Sequence, residues 1–160
     1  MSASKYLATY LNDHLAGATA ASELVRRAAS ENEGAPLGAF LSELAEELAE
    51  DRAALLELMD RLEVGVDRKK VVAGWTAEKA GRLKPNAQLR GYSPLSPLIE
   101  LEGLSLGIEG KRLLWRSLQA IADEHDLPVE RLAELADRAR RQRDRVERQR
   151  AKLVARALGD

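Results

Sequence analysis

Apolar residues recur at three- and four-residue spacing over four long stretches of the chain, the period of helices that bury one side. In the first, about residues 4–30, Leu7, Tyr10, Leu11, His14, Ala18, Ala21, Val25 and Ala28 share a face. Gly34 and Pro36 interrupt the pattern, one ending a helix and the other opening the next. The second predicted helix runs to about Glu63 on Leu37, Leu41, Leu44, Leu48, Leu55, Met59 and Leu62, and its outer face, Glu43 to Asp60, is acidic. A third begins at Ser96-Pro97, where Ser caps and Pro takes the first helical position, and continues to about His125. It is apolar nearly all round, so it is predicted to be buried on more than one side. After Asp126-Leu127-Pro128, a fourth helix over about residues 129–158 carries Leu132, Leu135, Ala139, Gln142, Val146, Gln149 and Leu153.

Residues 64–93 differ from the rest, being basic and interrupted by glycines and Pro85. They predict a shorter helix from about Asp67 to Leu83, anchored by Val71, Val72 and Trp75, and then an irregular loop. Helices one and two are joined by a short loop, as are three and four, so each pair is predicted to be antiparallel. The long link between the pairs can cross the length of a bundle, which makes helices two and three parallel. The expectation is one all-α domain spanning residues 1–160.

Each of the four stripes is broken near its middle by polar residues: His14, the Asp51–Arg52 pair, Lys111 and Gln142. In a four-helix bundle they fall at about the same height. Buried charge without a partner is costly, so the pattern predicts a hydrogen-bonded cluster of His14 and Asp51 with Arg52, Lys111 and Gln142 nearby. Three meanings stay open. The residues fix helix register, long stems packing while their heads reach water, or they line a small polar pocket for an unidentified ligand or anion, or they serve a catalytic role.

Composition removes several functions. A chain of 160 residues, 45% hydrophobic and 32% charged with net charge -1, is that of an ordinary soluble globular protein. It lacks the basic excess of a dedicated nucleic-acid or membrane-surface binder. With no cysteine, disulfides, thiolate metal sites and cysteine nucleophiles are excluded. Neither a signal peptide nor a membrane span is recognisable, so a cytoplasmic location is expected. The preference for Ala, Leu, Arg, Glu and Gly points to a bacterial source.

The fourth helix is dense in arginine, but Asp137, Asp144 and Glu147 interleave with them at ion-pair spacing, and no aromatic platform accompanies them. That predicts a solvated face; nucleic-acid binding through this helix and the basic link is the lesser alternative. Gly107-Ile-Glu-Gly110-Lys111 ends like a phosphate loop but lies within a helix and is followed by Arg112, so it is rejected as one. Gly103, Gly107 and Gly110 are expected to admit close helix approach. No catalytic triad, paired-carboxylate or nucleotide-loop pattern is present, and a homodimer through the third helix is expected.

The helix order, with Tyr10-Leu-Asn-Asp-His14, Glu47-Leu-Ala-Glu50-Asp51 and the segment Leu101–Lys111, resembles the ferritin-like superfamily. The resemblance covers nearly the whole chain in helix order and implies a ferritin-like four-helix bundle with a long crossover. Members with a dimetal site carry Glu on helices one and three and Glu-x-x-His on helices two and four. Here helix two has Glu47-x-x-Glu50 without His, helix four has no His, and Glu23 lies opposite the helix-one stripe. The two histidines, His14 and His125, sit at different heights. The reading is a binding or structural protein without a complete dimetal site and without a cofactor. The alternative is an iron or manganese protein, metal-storing or oxidoreductase, with a degenerate or intersubunit site built from Glu47, Glu50, Glu102 and Glu109.

Overall fold

A computed structural model describes residues 3–73 and 91–159, and every regular element in them is helical. Helix α1 spans Lys5–Glu31 and is capped by Ser4, whose hydroxyl accepts from the Leu7 amide. Gly34, at φ +80°, makes the turn into α2, Pro36–Arg61. The link then forms α3, described over residues 68–73 and capped by Asp67, whose carboxylate accepts from the Lys69 and Lys70 amides. The rest of the predicted helix to Leu83, Trp75 included, lies outside the described residues. Helix α4 is Ser96–Ala120, α5 is Ala122–His125 and α6 is Val129–Leu158.

Two sequence expectations change here. The third helix does not run unbroken to His125. It stops at Ile121, and the single turn α5 swings round so that the Leu127 amide reaches the Ala122 carbonyl and Leu127 is buried. Ser96 does not cap α4 either. It sits inside the first turn, and its hydroxyl accepts from the Ser93 amide, bracing the incoming loop.

Cross-helix contacts fix the topology. Tyr10 meets Ser117, Ala21 faces Gly107, Leu24 faces Gly103, and Arg27 pairs with Glu100, so α1 and α4 are antiparallel. Glu50 meets Arg138 while Glu47 and Glu43 meet Arg145, so α2 and α6 are antiparallel. Glu102 pairs with Arg150 and Glu109 with Arg143, which sets α6 against α4 in the same sense. With α1 and α2 joined by a short turn, each long helix lies antiparallel to two neighbours, and α2 and α4 run in the same direction on a diagonal. Leu15, Leu44, Leu55, Leu104, Trp115, Leu118 and Leu132 fill the space between them.

The buried face of α1 is rotated from the predicted stripe. Leu11, Asn12, Leu15, Ser22, Val25 and Ala28 are buried, whereas His14, Ala18 and Ala21 stand at its edge toward α4. Helix α4 is not covered all round: Ile99, Leu106 and Leu113, seven residues apart, are exposed, Leu106 by 77%. Gly103 and Gly107 face Leu24 and Ala21 of α1, but a Cβ on either would sit in ordinary van der Waals contact and one on Gly110 would meet nothing, so the expected close approach does not depend on these glycines.

Two polar clasps tether the link to opposite ends of α1. At one end the buried Asn12 donates to the Gly65 carbonyl at 3.0 Å and accepts from the Asp67 amide at 2.6 Å, and Lys70 pairs with Asp13. At the other, Tyr92 donates to Glu100 and accepts from Asn32. Burial and the Glu100 carboxylate hold the Tyr92 hydroxyl well above its ordinary pKa, so it stays a donor. Asn12 and Asn32 are roughly 30 Å apart at 1.5 Å per helical residue, so the two described ends of the link are held far apart along α1. Asn12→Ala removes two hydrogen bonds made by a buried side chain, and we expect a loss of about 1–3 kcal/mol in urea unfolding, with the helical far-ultraviolet signal retained at zero denaturant.

Candidate functional site

Asp51 on α2 is 2% exposed, and Gln142 on α6 is 1% exposed. Both sit where their helices' apolar spacing points inward, so each needs partners. Lys111 of α4 supplies them: its ammonium donates to Asp51 Oδ2 and, at 2.6 Å, to Gln142 Oε1. The Gln142 amide nitrogen donates to Asp51 Oδ2 and to Glu47 Oε2, each at 3.0 Å. Asp51 Oδ1 makes no hydrogen bond but lies 3.4 Å from Arg138 Nε, and Arg138 also donates to Glu50 and to the Glu47 carbonyl. Three helices are thereby tied through one carboxylate.

The charges are tuned by these neighbours. Burial presses the Lys111 pKa below the ordinary lysine range, while Asp51 pulls it back. Burial would raise Glu47, but hydrogen bonds from Arg145 and Gln142 outweigh it and hold the carboxyl below its ordinary value. The network is closed and nearly neutral, which suits a structural pin better than a proton-transfer centre.

Beside it lies a cavity of about 400 Å³ between α1, α2 and α4. Its walls are apolar or small: Ala18, Ala21, Leu48, Leu55, Ile108, Leu114 and three glycines, Gly17, Gly107 and Gly110. The polar groups at its edge are Tyr10, Asp13, His14, Asp51, Arg52 and Lys111. Gly110 therefore opens a pocket wall instead of admitting a neighbouring helix.

Of the five residues singled out in the sequence, three form one hydrogen-bonded unit: Asp51, Lys111 and Gln142. His14 and Arg52 share the cavity with Asp51 and Lys111 but neither bonds to Asp51. The expected His14–Asp51 bond is missing because α1 turns its buried face to Leu11 and Leu15. His14 instead packs its ring edge against Tyr10, with centroids 4.5 Å apart. Burial lowers its pKa, and the nearby Asp13 only partly reverses this. Arg52 reaches across to α1, where its Nε donates to Thr19 Oγ1 at 3.3 Å. Among the described residues it has no carboxylate partner. Sequence reasoning missed Arg138 and Thr19. Arg138 sits one turn before Gln142, but nothing in the sequence separates it from the other arginines of α6, and Thr19 carries no signal either.

The carboxylates of the metal alternative are engaged by arginine. Glu47 binds Arg145, Glu50 binds Arg138, Glu102 pairs with Arg150, and Glu109 is held by Arg112 and Arg143. Arg112 keeps the Glu109 carboxyl below its ordinary pKa. Among the described residues no three His, Cys, Asp or Glu side chains gather as metal ligands. These donors, already neutralised by guanidinium groups and divided between two helix seams, do not fit iron or manganese. No described helix is long and apolar enough to cross a membrane. No protein-family model, curated protein or solved structure matches this chain.

Lys111→Met leaves Asp51 buried without its ammonium, and we expect a loss of about 3–5 kcal/mol in chemical denaturation. Adding Asp51→Asn removes the stranded charge, so the double variant is expected to recover part of that loss, giving a clear coupling energy in a double-mutant cycle.

His14 gives a pH dependence of definite sign. Its folded-state pKa lies below the model-peptide value of 6.5, so the unfolded chain binds more protons in the window just beneath 6.5 and stability falls as pH falls through it. Melting temperatures at pH 7 and pH 5 are expected to show a smaller acid-side drop for His14→Gln than for the native chain.

Proposed function

We propose that the chain is a ferritin-like four-helix bundle that works as a binding protein for a small, mostly apolar molecule, without a dimetal centre. The ferritin-like reading is supported by the antiparallel neighbours, the parallel diagonal pair and the long link between hairpins. The binding reading is carried by one observation: the cavity of about 400 Å³ beside the polar network. A space this size, apolar in its walls with a few polar groups at one edge, falls in the range of small-molecule sites, ~300–1,000 Å³. The glycines strengthen the case. Each helical Gly costs about 1 kcal/mol relative to Ala, and at Gly110 no helix contact requires the missing side chain. What its absence leaves is volume.

Binding supports this geometry better than catalysis. The carboxylate and ammonium at the cavity edge are locked to each other, and the lowered His14 pKa belongs to a ring facing Tyr10 without a hydrogen-bonded base or acid beside it among the described residues.

Gly110→Leu tests the reading with little risk to folding, because it improves helix propensity while filling the space. The uncharged dye Nile red is expected to bind the native chain with a blue-shifted emission and one site per chain. Gly110→Leu is expected to weaken that binding at least tenfold without lowering the melting temperature. Equal uptake by both proteins, or none by the native chain, overturns the proposal.

A further inference from the structure

The cavity lining carries two carboxylates and two cations, but Asp13 is drawn off by Lys70 from outside the lining, and the cation this leaves names a ligand class. Asp13 is neutralised by Lys70, 2.8 Å away. Asp51 is neutralised by Lys111 and has Arg138 on its other oxygen. Lys111 has given donors to Asp51 and Gln142. His14 is biased toward its neutral form by burial. Arg52 is left: it lines the cavity, carries a permanent positive charge, and has no carboxylate partner among the described residues. Its Nε is held by Thr19 Oγ1, and Thr19 is itself fixed by donating to the Leu15 carbonyl at 2.9 Å. That grip leaves the terminal nitrogens without a partner among the described residues. A guanidinium restrained at Nε presents those two nitrogens as a flat fork, the shape that accepts both oxygens of one carboxylate.

Resting on the pocket reading above, we infer that the ligand is an apolar chain or ring ending in a single carboxylate, which sits on Arg52 while the tail fills the space between Ala18, Ala21, Leu55 and Ile108. One cation without a carboxylate partner among the described residues calls for one negative charge. A phosphate monoester brings up to a second charge that no described residue of the lining balances. A neutral or cationic head leaves Arg52 uncompensated. Thr19 is a positioning residue here, acting on the ligand only through Arg52.

Isothermal titration of the full chain with octanoate, octan-1-ol and octylammonium separates head from tail, since the three share one chain length. Octanoate is expected to bind at least tenfold more tightly than either of the others. Arg52→Gln is expected to bring octanoate to within twofold of octanol measured on the same variant. Arg52→Lys keeps the charge without the fork and is expected to retain part of the preference, and Thr19→Val is expected to reduce it severalfold with Arg52 still present. The melting temperature of each variant checks that it is folded. If octanol binds as tightly as octanoate, or the preference survives Arg52→Gln, the carboxylate assignment is wrong while the pocket stands. If none of the three binds, both readings fail. If all three bind equally to native and Gly110→Leu protein, the pocket is not where they go, and both fail again.

Discussion

The need of one buried carboxylate for countercharge governs the arrangement of the helices. Asp51 is brought inside by the same spacing that buries Leu48 and Leu55, and it cannot stay there alone. Its ammonium comes from α4, its amide from α6, and its second cation from α6. A slide of one helical turn in either α4 or α6, about 5.4 Å, would separate these groups far beyond hydrogen-bond reach. Apolar packing tolerates many near-equivalent arrangements. The Asp51 network is made only where these groups meet, so it is expected to favour one register among helices whose leucines supply the cohesion.

The cavity follows from what stands beside that layer. Lys111 is drawn toward Asp51 and Gln142, so its head is held at the edge of the space instead of filling it. On the opposite wall α1 contributes Gly17, Ala18 and Ala21, and α4 contributes Gly107 and Gly110. Small residues on two facing helices do not collapse the gap, because the helix spacing is already set elsewhere by Leu11, Leu15, Trp115 and Leu118. The void and the polar pin are therefore neighbours for one reason: the pin removes a long side chain from a place where only small ones remain.

Much of this was legible in the sequence, and the gaps have identifiable causes. Four helix lengths, the two hairpins and the inward positions of Asp51, Lys111 and Gln142 follow from apolar spacing, which is strong over such long stretches. The rotation of α1 was not legible. Ala18 and Ala21 count as apolar in a periodicity, yet their small side chains bury too little to decide which face turns inward, and Leu15 with Leu11 decides it instead. The break at Ile121 depends on burying Leu127, a contact made after the helix ends. Arg138 was hidden among neighbours of its own kind on α6, since sequence alone does not say which of many arginines meets an interior acid. Asn12 looked like an ordinary polar residue because its partners, the Gly65 carbonyl and the Asp67 amide, are backbone groups more than fifty residues away.

The seam between α2 and α6 differs in kind from the others. Its backbones approach closely at few points, and the two helices meet instead through Gln142, Arg138 and Arg145 of α6 reaching to Glu43, Glu47, Glu50 and Asp51 of α2. The three other seams, α1–α2, α1–α4 and α4–α6, are closed by nearer backbone approach. Heating shifts the balance, since the cost of desolvating charge falls as temperature rises. A seam held by ion pairs is therefore expected to weaken less on heating than one held by apolar burial alone.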